Sequence, residues 1–168
     1  GVEIDPRVAL VAEALHGHQH QIHNQAFEEF SVANLDTGDD RGFDVVISNA
    51  PFGARTGGVT AVHKPHQGSA DRYFIDTALD HAKEHGFVAM IVHTSVMQNQ
   101  GPAGADFRRR ILERADLVHA VRLPNTAFKH AGTEVTSDIL FLRKRPKDVA
   151  RTIEAGGEQT ARSLSAHD

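Results

Sequence analysis

The feature that most constrains the fold is the run of residues 43–48 (Phe-Asp-Val-Val-Ile-Ser), which stops abruptly at Asn49 and Pro51. β-Branched side chains favour extended backbone, and proline cannot donate the hydrogen bond that a central strand requires. The pattern therefore predicts a β-strand that ends at Asn49 and is followed by a turn.

Strand-like and helix-like segments alternate on both sides of this run. Further strands are predicted at residues 2–5, 21–25, 87–92, 117–123 and 138–142. Apolar residues at helical spacing predict helices over residues 6–16, 73–85 and 105–115. Polar, glycine-containing stretches predict loops at residues 31–42 and 53–70. This order is typical of an α/β layered domain with a mostly parallel sheet.

The ends of the predicted helices carry recognisable signals. Asp5 is suited to cap the first helix, Pro6 fits its first turn, and Gly17 ends it. Gly86 is predicted to end the second helix. The third helix is expected to turn three apolar residues inward: Phe107, Ile111 and Leu112.

Length and composition exclude several classes of protein. The chain has 168 residues, about one domain, and no cysteine, which rules out thiol catalysis, disulfides and cysteine-bound zinc. No apolar run approaches the length of a membrane span, and no secretory leader is visible, so a cytoplasmic enzyme is expected. The chain begins with Gly1 rather than methionine, which indicates processing, trimming or a fragment.

Charge is unevenly distributed along the chain. Residues 1–105 carry a net charge of −7, residues 106–147 a net charge of +5, and the remaining tail −2. A basic segment beside an acidic one could steer a polyanion to one face of the molecule. The alternative is a solvated helix face that carries Arg108, Arg109 and Arg110.

Polar residues follow several of the predicted strands. In parallel α/β sheets the ligand crevice lies beyond the carboxyl ends of the strands. That rule selects residues 3–5, the segment after Gln25, residues 49–53 and residues 93–95. We expect these segments to share one edge of the sheet.

The segment Asn49-Ala50-Pro51-Phe52 resembles the Asn-Pro-Pro-aromatic motif of amino methyltransferases that use S-adenosylmethionine. Other segments match the same proteins in order: residues 2–6, 26–28, 71–74, 122–128 and 131–142. Together they resemble the adenine-specific DNA methylases related to type I modification subunits and found in mobile-element polyproteins. The resemblance covers about residues 1–145.

The resemblance implies a class I, Rossmann-like methyltransferase fold with an antiparallel strand near its carboxyl terminus. It implies that Glu3 binds the ribose hydroxyls of S-adenosylmethionine. Phe27 and Glu28 would face the adenine of that cofactor, although the adjacent Glu29 could take the role of Glu28. Residues 49–52 would hold the target base.

The chemistry of the tetrapeptide can be argued from its atoms. The exocyclic amine of adenine is a poor nucleophile, because its lone pair is delocalised into the ring. The side-chain oxygen of Asn49 and the backbone carbonyl of Ala50 offer two acceptors for its hydrogens. Pro51 keeps residue 50 extended, and Phe52 offers a face on which a flipped base can stack. Ala50 stands where proline is usual, but the backbone acceptor is retained.

One element of the family pattern is not found in the sequence. The first strand and its glycine-rich turn, which cradle the methionine end of the cofactor, have no counterpart. In the family fold that strand lies between the strands that end near Asp5 and Asn49. We therefore expect residues 1–145 to be the C-terminal portion of a methyltransferase domain, inactive alone, and residues 146–168 to be a poorly ordered tail or linker.

Four histidines cluster near the amino terminus: His16, His18, His20 and His23. Gly17 separates the first from the others, and no acidic residue falls among them. This arrangement does not match the spacing of metal ligands, so we expect no metal.

The leading hypothesis is methyl transfer from S-adenosylmethionine to the N6 amine of adenine in DNA. Two alternatives remain: methylation of a glutamine amide in protein, which uses the same motif, and a non-catalytic DNA-binding remnant. The expected partners are DNA and a helicase or other domains of the same longer polypeptide, with no membrane.

Overall fold

A computed structural model describes residues 1–34, 42–49, 51, 69–132 and 134–149 of the protein. These residues divide into two compact units. The smaller unit contains residues 1–34, and the larger unit contains the other described residues.

The smaller unit is built from four elements: β1 (Val2–Glu3), α1 (Pro6–His16), β2 (His23–Asn24) and α2 (Phe27–Asn34). β1 and β2 pair in parallel. The cap predicted for α1 is confirmed, because a carboxylate oxygen of Asp5 accepts a hydrogen bond of 2.8 Å from the backbone N–H of Arg7. Pro6 occupies the first turn, and the helix ends before Gly17.

The prediction of a loop beginning at residue 31 is wrong for residues 31–34, which form the second half of α2. Glu28 and Glu29 lie in the first turn of this helix, where negative charge is stabilised by the helix dipole. These two adjacent acidic residues are therefore a sequence signal for the start of a helix. The rest of the predicted loop, residues 35–41, lies outside the described residues.

The larger unit contains one sheet of four strands. The strands are β3 (Phe43–Asn49), β4 (Ala82–His93), β5 (Ala115–Arg122) and β6 (Ser137–Lys144), in the spatial order β3-β4-β6-β5. β3 pairs in parallel with β4, whereas β6 runs antiparallel to both β4 and β5. The helices are α3 (Ala70–His81), α4 (Ser95–Gln98) and α5 (Pro102–Arg114), with a 3₁₀ turn at Lys129–Ala131.

One face of this sheet is covered by α3, α4 and α5. The alternate residues of β4 that point toward the helices are fully buried: Val88, Met90 and Val92. They pack with Ile75 and Leu79 of α3 and with apolar residues of α5 and β6. Burial of such side chains contributes roughly 1.5–3 kcal/mol each, so this layer is the core of the unit.

On the opposite face of the sheet, the described residues of the larger unit form no covering helix. The apolar side chains of Val45, Ile47, Phe87 and Val121 are between 38% and 77% exposed. β3 is also an edge strand among the described residues. A strand as apolar as β3 is usually buried on both faces, whereas in the described part of the chain one edge of β3 has no paired strand and one of its faces is exposed.

Two helix predictions need correction. Gly86 does not end α3, which stops at His81, but lies inside β4. A side chain there would meet the carbonyl oxygens of Lys83 and Phe43 at about 3 Å, so glycine permits the close approach of the two strands. In α5, Phe107 and Ile111 are buried as predicted, but Leu112 is 46% exposed at the margin of the core.

No helix in the part of the chain that the structure describes is long and apolar enough to cross a membrane.

The buried side chain of His81 makes the stability of the fold depend on pH. Burial lowers the pKa of His81, an effect that the nearby Lys144 reinforces and Asp80 opposes. Because the folded protein disfavours the imidazolium, the unfolded chain takes up more protons as the pH falls below about 6.5. The buried, neutral His81 therefore does not lower the free energy of unfolding above that pH, and it lowers it progressively as the pH falls further. We expect the midpoint temperature of thermal unfolding to decrease as the pH is lowered from 7 to 5.5.

Substitution of His81 by Asn should flatten this pH dependence, measured by circular dichroism at several pH values. His130→Asn, at an exposed position, is the matched control and should leave the slope unchanged. Equal slopes for the two variants would show that His81 does not cause the acid loss.

Candidate active site

Asn49 is the last residue of β3 and stands at the carboxyl edge of the larger sheet. Its backbone is paired with Ile91 of β4, and its side chain is exposed. Pro51 is also exposed. The strand therefore ends where the sequence predicted, with the amide of Asn49 at the edge expected for ligands. Ala50 and Phe52 lie outside the described residues.

The neighbouring strand brings a histidine to the same edge. His93 ends β4 two residues beyond Ile91 and so projects to the same face as Asn49. Its Nδ1 accepts a hydrogen bond of 3.1 Å from the backbone N–H of Ser95 and lies 2.9 Å from the hydroxyl oxygen of Ser95. A backbone N–H can only donate, so the proton of the neutral imidazole is on Nε2. The ring is thus held in one tautomer.

An ion pair occupies the carboxyl edge of the next two strands. Arg122 ends β5, and its Nε and Nη2 donate to the two carboxylate oxygens of Asp138 at 2.8 and 3.1 Å. Asp138 lies in β6, directly opposite Arg122, with a side chain only 4% exposed. The hydrogen bond to Asp138 raises the pKa of Arg122. Sequence reasoning assigned no role to this pair.

The residues predicted to bind the cofactor lie in the smaller unit. Glu3 ends β1, is half-buried, and accepts a hydrogen bond of 2.8 Å at Oε1 from the backbone N–H of Asp5. The side-chain amide of Asn24 donates to the backbone carbonyls of Glu3 and Ile4 and so joins the ends of β1 and β2. A carboxylate fixed at a strand end is suited to a ribose diol.

Phe27 and Glu28 begin α2, which packs against β1. Both side chains are half-buried, whereas Glu29 is exposed. The smaller unit thus brings Glu3, Phe27 and Glu28 together, while Asn49 and Pro51 belong to the larger unit.

The basic segment of residues 106–147 is largely engaged in contacts within the fold. Arg109 pairs with Asp106 and Glu113 on its own helix, and Arg110 pairs with Asp106. Arg108 instead donates to the backbone carbonyls of Val96 and Asn99, which fixes the chain after α4. The solvated-face interpretation therefore holds for Arg109 and Arg110, and Arg108 has a structural role.

The remaining cations of this segment follow the same pattern. Arg114 pairs with Asp76 and Asp80 of α3, and Arg145 pairs with Asp116 of β5. The ammonium of Lys144 donates to the carbonyl of Ala82 at 2.6 Å. Acidic residues from elsewhere in the chain thus neutralise part of the positive charge, which weakens the charge distribution as an argument for a DNA-binding surface.

Among the residues that the structure describes, no group of three or more histidine or acidic side chains is arranged to hold a metal ion. The rings of His16 and His20 lie 6.2 Å apart, and His23 packs against Phe30.

Comparison with solved structures defines the class of fold. A protein of Listeria monocytogenes assigned to the class I S-adenosylmethionine-dependent methyltransferases is 22% identical, with a TM-score of 0.62 over 88% of this chain and 45% of its own. The M protein of the type I restriction enzyme EcoKI is 23% identical, with a TM-score of 0.67 over 88% of this chain and 31% of its own. A chain from a structural study of the assembly of a type I restriction-modification system is 25% identical, with a TM-score of 0.61 over 80% of this chain and 27% of its own. The fold is that of a class I methyltransferase, as the sequence predicted.

Sequence comparison then identifies the family. The family model of N-6 DNA methylase matches residues 1–161, so the chain belongs to the N-6 DNA methylase family. Defense against restriction protein B of Escherichia phage P1 is 33% identical over 141 residues, which cover 83% of this chain. The chain spans only 6% of the length of that protein.

Proposed function

We propose that this chain belongs to an enzyme that transfers a methyl group from S-adenosylmethionine to the N6 amine of adenine in DNA. The observation that carries the proposal is the position of Asn49, exposed at the carboxyl end of β3 in a class I methyltransferase fold. Membership of the N-6 DNA methylase family supports DNA as the substrate.

The proposed role of residues 49–52 follows from hydrogen bonding. The amide oxygen of Asn49 accepts one hydrogen of the adenine amine, and the backbone carbonyl of residue 50 accepts the other. With both hydrogens held, the nitrogen lone pair is oriented toward the incoming methyl group, and positioning lowers the barrier. A base in duplex DNA must first be flipped out, and Phe52 is proposed to stack on it.

The residues of the smaller unit fit S-adenosylmethionine, which supplies a methyl group on a positively charged sulfur when bound. We assign Glu3 to the ribose hydroxyls, because its carboxylate is fixed at the end of β1 by the backbone of Asp5. Phe27 and Glu28 are assigned to the cofactor adenine, since α2 holds them beside β1.

We also propose that residues 1–145 are the C-terminal portion of the methyltransferase domain. The edge of β3 that has no partner among the described strands supports this, because a further parallel strand of the same polypeptide would pair with that edge. In doubly wound sheets the strand in that place leads into the glycine-rich phosphate- or cofactor-binding turn. The chain just after β6 still contacts the larger unit, since the backbone N–H of Lys147 donates a hydrogen bond to the side chain of Glu84.

Removal of the Asn49 side chain tests the catalytic proposal. In the complete protein, Asn49→Ala should lower kcat for DNA methylation by roughly a hundredfold to a thousandfold, as when one preorganised polar group is lost from an active site. DNA binding should be retained, because phosphate contacts supply most of the affinity. The measurements are methyl incorporation into DNA and a binding titration.

Asp44→Ala is the matched control for that experiment. Asp44 lies at the opposite end of the same strand, where it forms an exposed pair with Lys83. This variant should retain full activity. If the unsubstituted protein does not methylate DNA, the result would support a non-catalytic DNA-binding remnant. If it methylates glutamine in protein instead of DNA, the result would support a protein glutamine methyltransferase.

Cofactor binding tests the proposal of a partial domain. Calorimetry with residues 1–168 alone should show no saturable binding of S-adenosylmethionine in the micromolar range. A longer version of the protein that includes a strand and glycine-rich turn should bind it, and Glu3→Gln should weaken that binding. Tight, saturable binding by residues 1–168 alone would contradict the proposal.

A further inference from the structure

The ion pair of Arg122 and Asp138 lies one residue beyond the level of Asn49, at the carboxyl edge of the same sheet. Asn49 pairs with Ile91, the next residue Val92 pairs with Asp138, and Asp138 pairs with Arg122. Neighbouring strands are about 4.8 Å apart, so Asp138 is two strands, or about 10 Å, from Asn49 across the sheet. Asp138 and Val92 share the face that the helices cover, whereas Asn49 and Ile91 point to the other face. The ion pair therefore lies at the same carboxyl edge of the sheet as Asn49, on the opposite face.

The guanidinium of Arg122 is held on two sides. Asp138 accepts hydrogen bonds from Nε and Nη2, in the bidentate geometry that suits a carboxylate. The side-chain amide of Gln98 faces the other side, and because Arg122 offers only N–H donors, the carbonyl oxygen of Gln98 is turned toward it, 2.7 Å from Nη1 and 3.3 Å from Nη2. These contacts commit most of the donors of Arg122 to the protein, so the side chain is suited to positioning rather than to binding a phosphate.

Three segments at the carboxyl edge meet at this arginine. Gln98 ends α4, the helix that directly follows β4, while Arg122 ends β5 and Asp138 lies at the start of β6. The backbone N–H of Leu123 donates to the carbonyl of Ser137 at 2.9 Å, so the connection 123–136 leaves and re-enters the sheet at the same point. The ion pair thus fixes both ends of this connection and the end of α4.

We propose that Arg122 and Asp138 are positioning residues that hold α4 and the connection 123–136 against DNA at the carboxyl edge that also carries Asn49. This proposal rests on the proposed methyltransferase function and deepens it. Lys129 and His130 lie exposed on the connection and are the side chains that it would present to a polyanion. Loss of the ion pair would leave the fold in place but would release this surface.

A second ion pair joins the same two strands and provides a matched control. Arg145, just after β6, donates to Asp116 of β5 at 2.6 and 2.8 Å. Asp116 is near the start of β5 and Arg122 is at its end, so this pair stands at the opposite edge of the sheet. Arg145→Gln therefore removes similar chemistry from the same strands, away from Asn49.

The experiment compares Arg122→Gln with Arg145→Gln in the complete protein. Steady-state methylation should show about a tenfold loss of kcat/KM for DNA in Arg122→Gln, carried by KM for DNA, with KM for S-adenosylmethionine unchanged. Arg145→Gln should leave kcat/KM for DNA, KM for DNA and KM for S-adenosylmethionine unchanged. Arg122→Lys should recover part of the loss, because lysine retains the charge but not the bidentate geometry. A loss in Arg122→Gln no larger than that in Arg145→Gln would overturn the proposal.

Hydrogen exchange separates a failure of this proposal from a failure of the proposed function. Amide exchange in residues 95–98 and 123–136 should accelerate in Arg122→Gln and not in Arg145→Gln, whether or not the protein methylates DNA. Exchange that is the same in both variants would overturn the positioning role. If the unsubstituted protein does not methylate DNA, the proposed function is contradicted. The exchange rates then still test whether Arg122 positions α4 and the connection 123–136.

Discussion

The parallel pairing of β3 with β4 is the constraint on which the candidate active site depends. It places Asn49 opposite Ile91, at the edge where His93, Arg122 and Asp138 also end or begin their strands. The pairing is secured by burial of Val88, Met90 and Val92 against the helices, since a shift of one residue would turn these side chains to the opposite face. Core packing therefore sets the position of the Asn49 amide.

Local signals in the sequence predicted much of the fold. The capping pattern of Asp5 and Pro6 specified α1, and the apolar run of residues 43–48 specified β3 as far as Asn49. These predictions succeeded because each depends on neighbouring residues only. The function of Gly86 was misjudged because the reason for glycine there is the approach of β3, a contact between segments distant in sequence. Leu112 was misjudged because a helical stripe does not reveal where the covering surface ends.

In the candidate site, too, local motifs could be predicted from the sequence, whereas contacts between distant segments could not. The motif at residues 49–52 and the acidic strand end at Glu3 could be located from sequence, whereas the pairing of Arg122 with Asp138 and Gln98 required the strand order. Net charge was also a poor guide. Arg114, counted in a basic segment, is neutralised by Asp76 and Asp80 from the acidic part of the chain. Partners distant in sequence decide whether a charge is available to a ligand.

The proposed role of Asn49 is to hold a flipped-out target base by hydrogen bonding to its N6 amine. The most direct measurement is a crystal structure of the complete protein with DNA and a non-reactive analogue of S-adenosylmethionine. We expect an adenine outside the base stack, with its N6 about 2.7–3.2 Å from both the amide oxygen of Asn49 and the carbonyl oxygen of residue 50. An adenine that remains stacked in the duplex, or an N6 amine held by other residues while Asn49 faces solvent, would contradict the proposed mechanism.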